Sequence, residues 1–354
     1  MPQPSEQQII SALRSVTWNG EDIVTRGMVV GVTFAPEEKG TKVNLVIQID
    51  PQKNADFDVL KEKIEKAAGN VAGVSSVAVI FTAHQAQQGT PQRQPYVPQK
   101  IALPGVKYVV AIASGKGGVG KSTTSVNLAV ALAQKGLKTG LMDADIYGPS
   151  IPRMLGISGK PEIDADKKMI PHKKFGLSVM SMGFLIAEDA PMIWRGPMVH
   201  AAITQLFRDV AWGELDILVV DLPPGTGDAQ LTMAQSAPLA GAVIVSTPQD
   251  IALLDARKGL AMFQKVDIPV LGIIENMSYF DCPHCGTRSD IFSHGGARLE
   301  AEKLNVPFLG EIPLDIAVRQ KSDEGMPLTM AEPTGAIAKQ YQAIAEALWA
   351  GLNA

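Results

Sequence analysis

Nine consecutive residues carry the densest chemical signal in this 354-residue chain. Gly115, Lys116, Gly117, Gly118, Val119, Gly120, Lys121, Ser122 and Thr123 fit the spacing G-x-x-x-x-G-K-[ST]. Four glycines let backbone N–H groups turn toward phosphate oxygens without obstruction by a Cβ. An apolar run at 108–113 precedes the loop and a helical pattern at 123–134 follows it. That strand–loop–helix context lets the positive helix end face an anion. Lys121 is placed to reach the outer phosphates of ATP, and the Ser122 hydroxyl to ligate Mg2+. An accidental glycine-rich turn would not bring both a strand and a helix with it.

Acids at strand ends complete such a site. Asp143 and Asp145 follow the apolar residues 139–142, and Asp221 ends the run at 217–220. Ligands bind at the carboxyl ends of parallel strands, where these acids would stand. Asp221 suits an acid holding the water shell of Mg2+. Asp145 suits orientation of the attacking water, with Asp143 near the metal shell. Gly225, in the turn after Asp221, would give its N–H to the γ-phosphate and move when that phosphate leaves. One strand-end aspartate is more simply a helix cap. Two such strand ends beside a phosphate loop favour the site.

Cys282 and Cys285 are the only cysteines. A disulfide framework is therefore excluded. The pair stands as C-x-x-C in a polar loop. A redox dithiol would need a thioredoxin-like βαβ setting, which this region lacks. A zinc site would need further ligands, for which His284 and His294 are candidates without a strong spacing signature. Inert thiols belong in a core, which this polar loop does not suit. Counting offers a fourth reading. A [4Fe–4S] cluster takes four cysteines, and two chains supply four.

From Lys116 the pattern K-G-G-x-G-K-[ST] resembles the deviant Walker A loop of the MinD/ParA/nitrogenase iron-protein class. In that class the early lysine crosses a dimer interface to the partner's nucleotide. The resemblance implies a nucleotide-dependent homodimer, whereas Lys116 alone would read as a solvated surface charge. Asn276 resembles the adenine-reading asparagine of the class. Pro313 lies where a second adenine-side loop runs. More widely, the chain resembles the Mrp/ApbC family of iron–sulfur cluster carrier ATPases. The matching stretches are 114–124, 143–152 (DADIYGPSIP), 194–198 (WRGPM), 212–228 with its DLPPGTGD, 275–278 (ENMS) and the cysteine pair. The resemblance implies ATP hydrolysis involving Lys116, Lys121 and Asp145. It implies a [4Fe–4S] cluster held by Cys282 and Cys285 of both subunits of a homodimer. That cluster would pass to apo iron–sulfur proteins, with assembly scaffolds as further partners. Residues 1–84 resemble, more weakly, the PaaD-like domain fused to some bacterial members, although no cysteine precedes Cys282.

The elements that must position these groups fall into three segments. Residues 1–84 read as a small α+β domain, in the order helix, two strands, helix, strand. A turn through 37–40 joins its first two strands. Residues 85–104 hold six glutamines and four prolines, the composition of an extended linker. Residues 105–354 alternate apolar runs with helical stretches, which predicts an α/β P-loop domain with a mainly parallel sheet flanked by helices. The formal charge of −4 and pI near 5.8 give no global basic field for nucleic acid. No apolar run approaches a membrane span. A secretory signal is not expected from the first twenty residues, and a cytoplasmic protein is the simplest reading. The main rival is a positioning ATPase of the MinD/ParA type, which would use the same loop. A reductase with a bridging cluster ranks lower. The last helix, at 335–352, places Ile337, Tyr341, Ile344 and Leu348 on one face, with Lys339 its only lysine. Core packing explains that face better than membrane binding, which favours a more basic helix.

Overall fold

A computed structural model describes residues 4–18, 20–37, 40–49, 57–83, 101–146, 148–185 and 196–354. The chain divides into two compact units, Met1–Tyr96 and Val97–Ala354. Each has its own apolar cluster.

The first unit runs α1 (Glu6–Leu13), β1 (Thr17–Trp18), β2 (Glu21–Asp22), β3 (Val29–Glu37), β4 (Gly40–Ile49), α2 (Phe57–Gly69) and β5 (Val74–Ala83). Ser5 starts α1 through a capping box. Its hydroxyl accepts from Gln8 N–H, and the Gln8 side chain accepts from Ser5 N–H. Strand β4 lies centrally, antiparallel to β3 and parallel to β5. Its alternate residues Val43, Leu45 and Ile47 are buried in one cluster with Ile9 and Leu13 of α1 and Leu60 and Ile64 of α2. This is the α+β unit expected from the sequence. The added β1–β2 hairpin is too short to leave a periodic signal. Residues 38 and 39 of the expected turn lie outside the described residues.

The second unit begins with β6 (Val106–Ala113), α3 (Lys121–Gln134), β7 (Thr139–Asp143), α4 (Ile151–Leu155), β8 (His172–Lys174) and β9 (Leu177–Ser181). It continues with α5 (Gly196–Arg208), β10 (Leu215–Asp221), α6 (Asp228–Ser236), β11 (Gly241–Ser246), α7 (Asp250–Lys265) and β12 (Val270–Asn276). It closes with β13 (Phe280–Asp281), β14 (Arg288–Ser289), α8 (Gly296–Leu304), β15 (Phe308–Ile312), α9 (Ile316–Asp323), α10 (Leu328–Ala331) and α11 (Ala336–Leu352).

Eight strands form one sheet in the order β15-β12-β11-β6-β10-β7-β9-β8. Every neighbouring pair is parallel except β8 with β9. Continuous apolar runs such as Val109 to Ala113 and Ile217 to Val220 are buried, as a sheet covered on both faces requires. Strand β6 sits in the middle, between β10 and β11. Register places Asp221 beside Ile112 on one side and Asp143 on the other. Both aspartates therefore reach the edge where β6 releases the phosphate loop.

Tyr341, Ile344 and Leu348 of α11 are buried in the core of this unit. The apolar face of the last helix is thus consumed by packing. Among the described residues, no helix is long and apolar enough to cross a membrane. Ile101 lies within the span expected to be linker, yet it is buried and its N–H donates to Ser236 C=O at 2.9 Å. The packed unit therefore begins before residue 105. Residues 85–100 of the expected linker lie outside the described residues.

Candidate nucleotide site and cysteine hairpin

The phosphate loop is fixed by two close approaches. A Cβ on Gly115 would lie 2.2 Å from the Asp255 carbonyl carbon in α7. A Cβ on Gly120 would lie 2.1 Å from Asn276 Nδ2, and Gly120 also has φ of +79°. Asn276 is buried at the end of β12, and its amide donates to Val119 C=O at 2.8 Å. Gly117 and Gly118 stand exposed at the loop's tip. Helix α3 starts at Lys121 with no side chain capping it, so its first N–H groups suit an anionic ligand.

Charge is concentrated where this helix meets the strand ends. Lys121 Nζ lies 2.8 Å from Asp221 Oδ2, 3.9 Å from Asp145 Oδ2 and 3.2 Å from Ser122 Oγ. Ser122 O–H donates to Asp221 Oδ2 at 2.5 Å. Ser125 Oγ lies 2.6 Å from Asp221 Oδ1. Asp221 is fully buried, and this ring of partners offsets its desolvation.

Asp143 is fully buried too, but it serves the chain that follows it. It accepts from Asp145 N–H at 3.1 Å, Ile151 N–H at 3.2 Å and Ser181 O–H at 3.0 Å. Burial, and then the neighbouring charge of Asp221, push its carboxyl up to about 7. Gly225 N–H donates to Ser114 C=O at 3.0 Å. To reach a γ-phosphate it must leave that carbonyl. Lys116 is half-buried near the loop's start.

A cavity of about 410 Å³ opens beside the loop, a size suited to a small organic ligand. Gly120, Thr123, Asn276, Met277, Pro313 and Arg319 are among its lining residues. Asn276 and Pro313, expected on the base side, thus meet at one cavity continuous with the phosphate loop. Arg319 of the cavity and the Asp221 partner Ser125 are not among the residues expected from the sequence. Ser125 lies four residues after Lys121, one helical turn on the same face, and that spacing could have found it.

The cysteine pair occupies the six-residue turn, 282–287, between the two-residue strands β13 and β14, which form a hairpin shortly after β12. Cys282 N–H donates to Thr287 C=O at 3.0 Å, and Gly286 N–H to Cys282 C=O at 2.8 Å. Gly286 has φ of +70°, which the tight turn requires. Cys282 is half-buried and Cys285 exposed. Cys285 Sγ and Thr287 Oγ1 are 3.2 Å apart. The Thr287 hydroxyl, then its backbone, then Cys282 hold the Cys285 thiol below its ordinary pKa. His284 is exposed on the same turn. His294 lies elsewhere, 3.1 Å from Glu311. Tyr147, Trp194 and Arg195 of the motif stretches lie outside the described residues.

The fold and this site together define an α/β P-loop nucleotide-binding protein. Residues 105–349 match a family described as NUBPL iron-transfer P-loop NTPase, and residues 6–79 match one described as iron-sulfur cluster assembly protein. The chain belongs to the iron-transfer P-loop NTPase family. It is 55% identical over 255 residues to "Iron-sulfur protein required for NADH dehydrogenase, mitochondrial" of Arabidopsis thaliana, covering 72% of this chain and 82% of the relative. It is 45% identical over 329 residues to "Iron-sulfur cluster carrier protein" of Deinococcus radiodurans, covering 92% of this chain and 89% of the relative. Among solved structures, it is similar to a nucleotide-binding protein in complex with ADP from Archaeoglobus fulgidus. That likeness has a TM-score of 0.57 and 43% identity, over 63% of this chain and 88% of the other.

Proposed function

We propose that this chain is an ATP-hydrolysing carrier whose cargo is an iron–sulfur cluster delivered to apo-proteins. One observation carries the reading. The strand that presents Asn276 to the phosphate loop runs on, within six residues, to Cys282. Nucleotide and cargo would therefore be served by one continuous segment of backbone. Two cysteines per chain supply half of a [4Fe–4S] ligand set. The cargo is accordingly a [4Fe–4S] cluster held by Cys282 and Cys285 from each of two chains. Lys116 would reach the partner's nucleotide in the same homodimer.

The residues at the loop have separable tasks. Lys121 and the N–H groups at the start of α3 bind the phosphates. When bound with ATP, Mg2+ would supply charge neutralisation on the β- and γ-phosphates. Ser122 Oγ and Asp221 Oδ2, 2.5 Å apart, are the oxygens that suit it. Asp145 orients the attacking water. Asp143 holds the Asp145 and Ile151 backbone in place. Gly225 exchanges Ser114 C=O for the γ-phosphate and returns when that phosphate leaves. Asn276 transmits the loop's state to the segment leading to Cys282, so that hydrolysis loosens the hold of two chains on the cargo.

The Asp145→Ala variant separates these tasks. It is expected to bind ATP, to hydrolyse it at least a hundredfold more slowly, and to lose ATP-stimulated delivery of a reconstituted cluster to an apo-ferredoxin. Hydrolysis at the normal rate would remove Asp145 from the mechanism. Normal ATP-stimulated delivery without hydrolysis would sever the proposed coupling.

A further inference from the structure

We infer that Glu275, His294 and Glu311 form a second metal site, separate from the cysteine pair, for one divalent transition-metal ion of the Zn2+, Fe2+ or Co2+ type. A ligand atom from each of the three lies within 4.8 Å of the other two. The inference needs neither the nucleotide nor the cluster reading.

The site follows from sheet register and one loop. Strands β12 and β15 are parallel neighbours, and Glu275 pairs with Glu311. Two carboxylates thus stand side by side at the carboxyl edge of the sheet. Glu275 is fully buried. It is anchored by Ser278 O–H at 2.6 Å and Gly295 N–H at 2.9 Å on Oε1, and by Ala297 N–H at 2.7 Å on Oε2. Those bonds cap α8 and fix the carboxylate rigidly. They leave Oε2 with lone-pair capacity to spare.

His294 sits just before α8 and brings Nε2 to 3.1 Å from Glu311 Oε2. The Tyr279 ring, 6.3 Å between centroids and edge-on, packs against the imidazole. Arg288 covers Tyr279 at 4.0 Å and pairs with Asp290, and its charge also acts on Glu311.

A proton on Nε2 would satisfy the contact between His294 and Glu311. It would do nothing for Glu275, whose carboxylate stands beside Glu311. A divalent cation serves all three groups. One imidazole nitrogen and two carboxylate oxygens are a donor set that borderline divalent metals accept, with water completing the shell. Metal–ligand distances of about 2.0–2.2 Å put tetrahedral ligand atoms roughly 3.3 Å apart. His294 and Glu311 already stand close to that separation. Both side chains are partly exposed, at 33% and 25%, so they can close on an ion from solvent.

The test removes the cysteines and keeps the full chain. A tag-free Cys282→Ala/Cys285→Ala double variant is titrated with Co2+ and followed by its visible d–d absorption. Zn2+ per chain is measured after gel filtration. The expected results are one Zn2+ retained per chain and a saturable Co2+ spectrum. Adding His294→Ala or Glu311→Gln should weaken binding at least tenfold, with an unchanged circular dichroism spectrum. Glu275 is left intact because it caps α8. Absence of bound metal in the double variant, or equal affinity after either added substitution, would overturn the site and leave only the His294–Glu311 hydrogen bond in its place.

Discussion

Asp221 is fully buried and meets Lys121, Ser122 and Ser125, whereas Cys285 is exposed and shares a hydrogen bond with Thr287 in the turn of a short hairpin. The two centres lie at opposite ends of one segment that leaves β12. The phosphate loop is wedged between α7 and Asn276, so close that Gly115 and Gly120 leave no room for a Cβ. The cysteine turn rests on two backbone hydrogen bonds and protrudes into solvent. Preorganised polar groups suit a site that must recognise the same polyphosphate each cycle. A lightly tethered thiol pair, with Cys285 exposed and Cys282 half-buried, suits a cargo that must be taken up and released.

If that contrast is real, substitutions at the two ends should differ in kind. Lys121→Ala should be the most damaging. It removes the phosphate ligand and leaves Asp221 buried without its cation. Nucleotide affinity should fall at least a hundredfold, and stability by roughly 3–5 kcal/mol. Fluorescent-nucleotide titration and urea unfolding would measure the two. Unchanged stability would mean that the buried ion pair is not what holds the strand ends together.

Asp143 should show a subtler effect through pH. Its folded-state pKa is raised from 3.8 to about 7, so the fold favours the neutral form. Its contribution to stability therefore falls as pH rises from about 4 to about 7, and is flat above that. The difference in melting temperature between the native chain and Asp143→Asn should drift across pH 5–7 and level off by pH 8. A constant difference would place the carboxylate in an ordinary environment.

The smallest effect belongs to the hairpin. Thr287→Val removes the hydroxyl that lowers the Cys285 pKa. In a Cys282→Ala background, alkylation at pH 7 should slow several-fold as the thiolate fraction drops. Stability should change by less than about 0.5 kcal/mol, as for a surface position. A stability loss comparable to that of Lys121→Ala would erase the contrast between the two ends.

The sequence is most readable where function is local. The phosphate loop, Asp221 at its strand end and the cysteine turn each sit within a few residues, with the elements on either side legible from periodicity. Asn276 and Pro313 were reached only through family resemblance, because nothing local distinguishes either from a turn residue. Register supplies what is missing. Asp143 lies beside Asp221 and Ser181 only once β7 is seated between β10 and β9, and Glu275 beside Glu311 only once β12 pairs with β15. The short strands β8, β9 and β15 left no clear pattern, so the partners they bring were not visible. Gly225 shows the same limit. Its left-handed φ of +100° was foreseeable from residue type, but its bond to Ser114 was not.

The most direct measurement is anaerobic reconstitution with iron and sulfide, comparing the native chain with Cys282→Ala for iron, sulfide and molecular mass. A cluster shared by two chains predicts about four iron and four sulfide per dimer in the native protein, with almost none in the variant. Equal iron and sulfide content in Cys282→Ala, or a full cluster on a monomer, would contradict it.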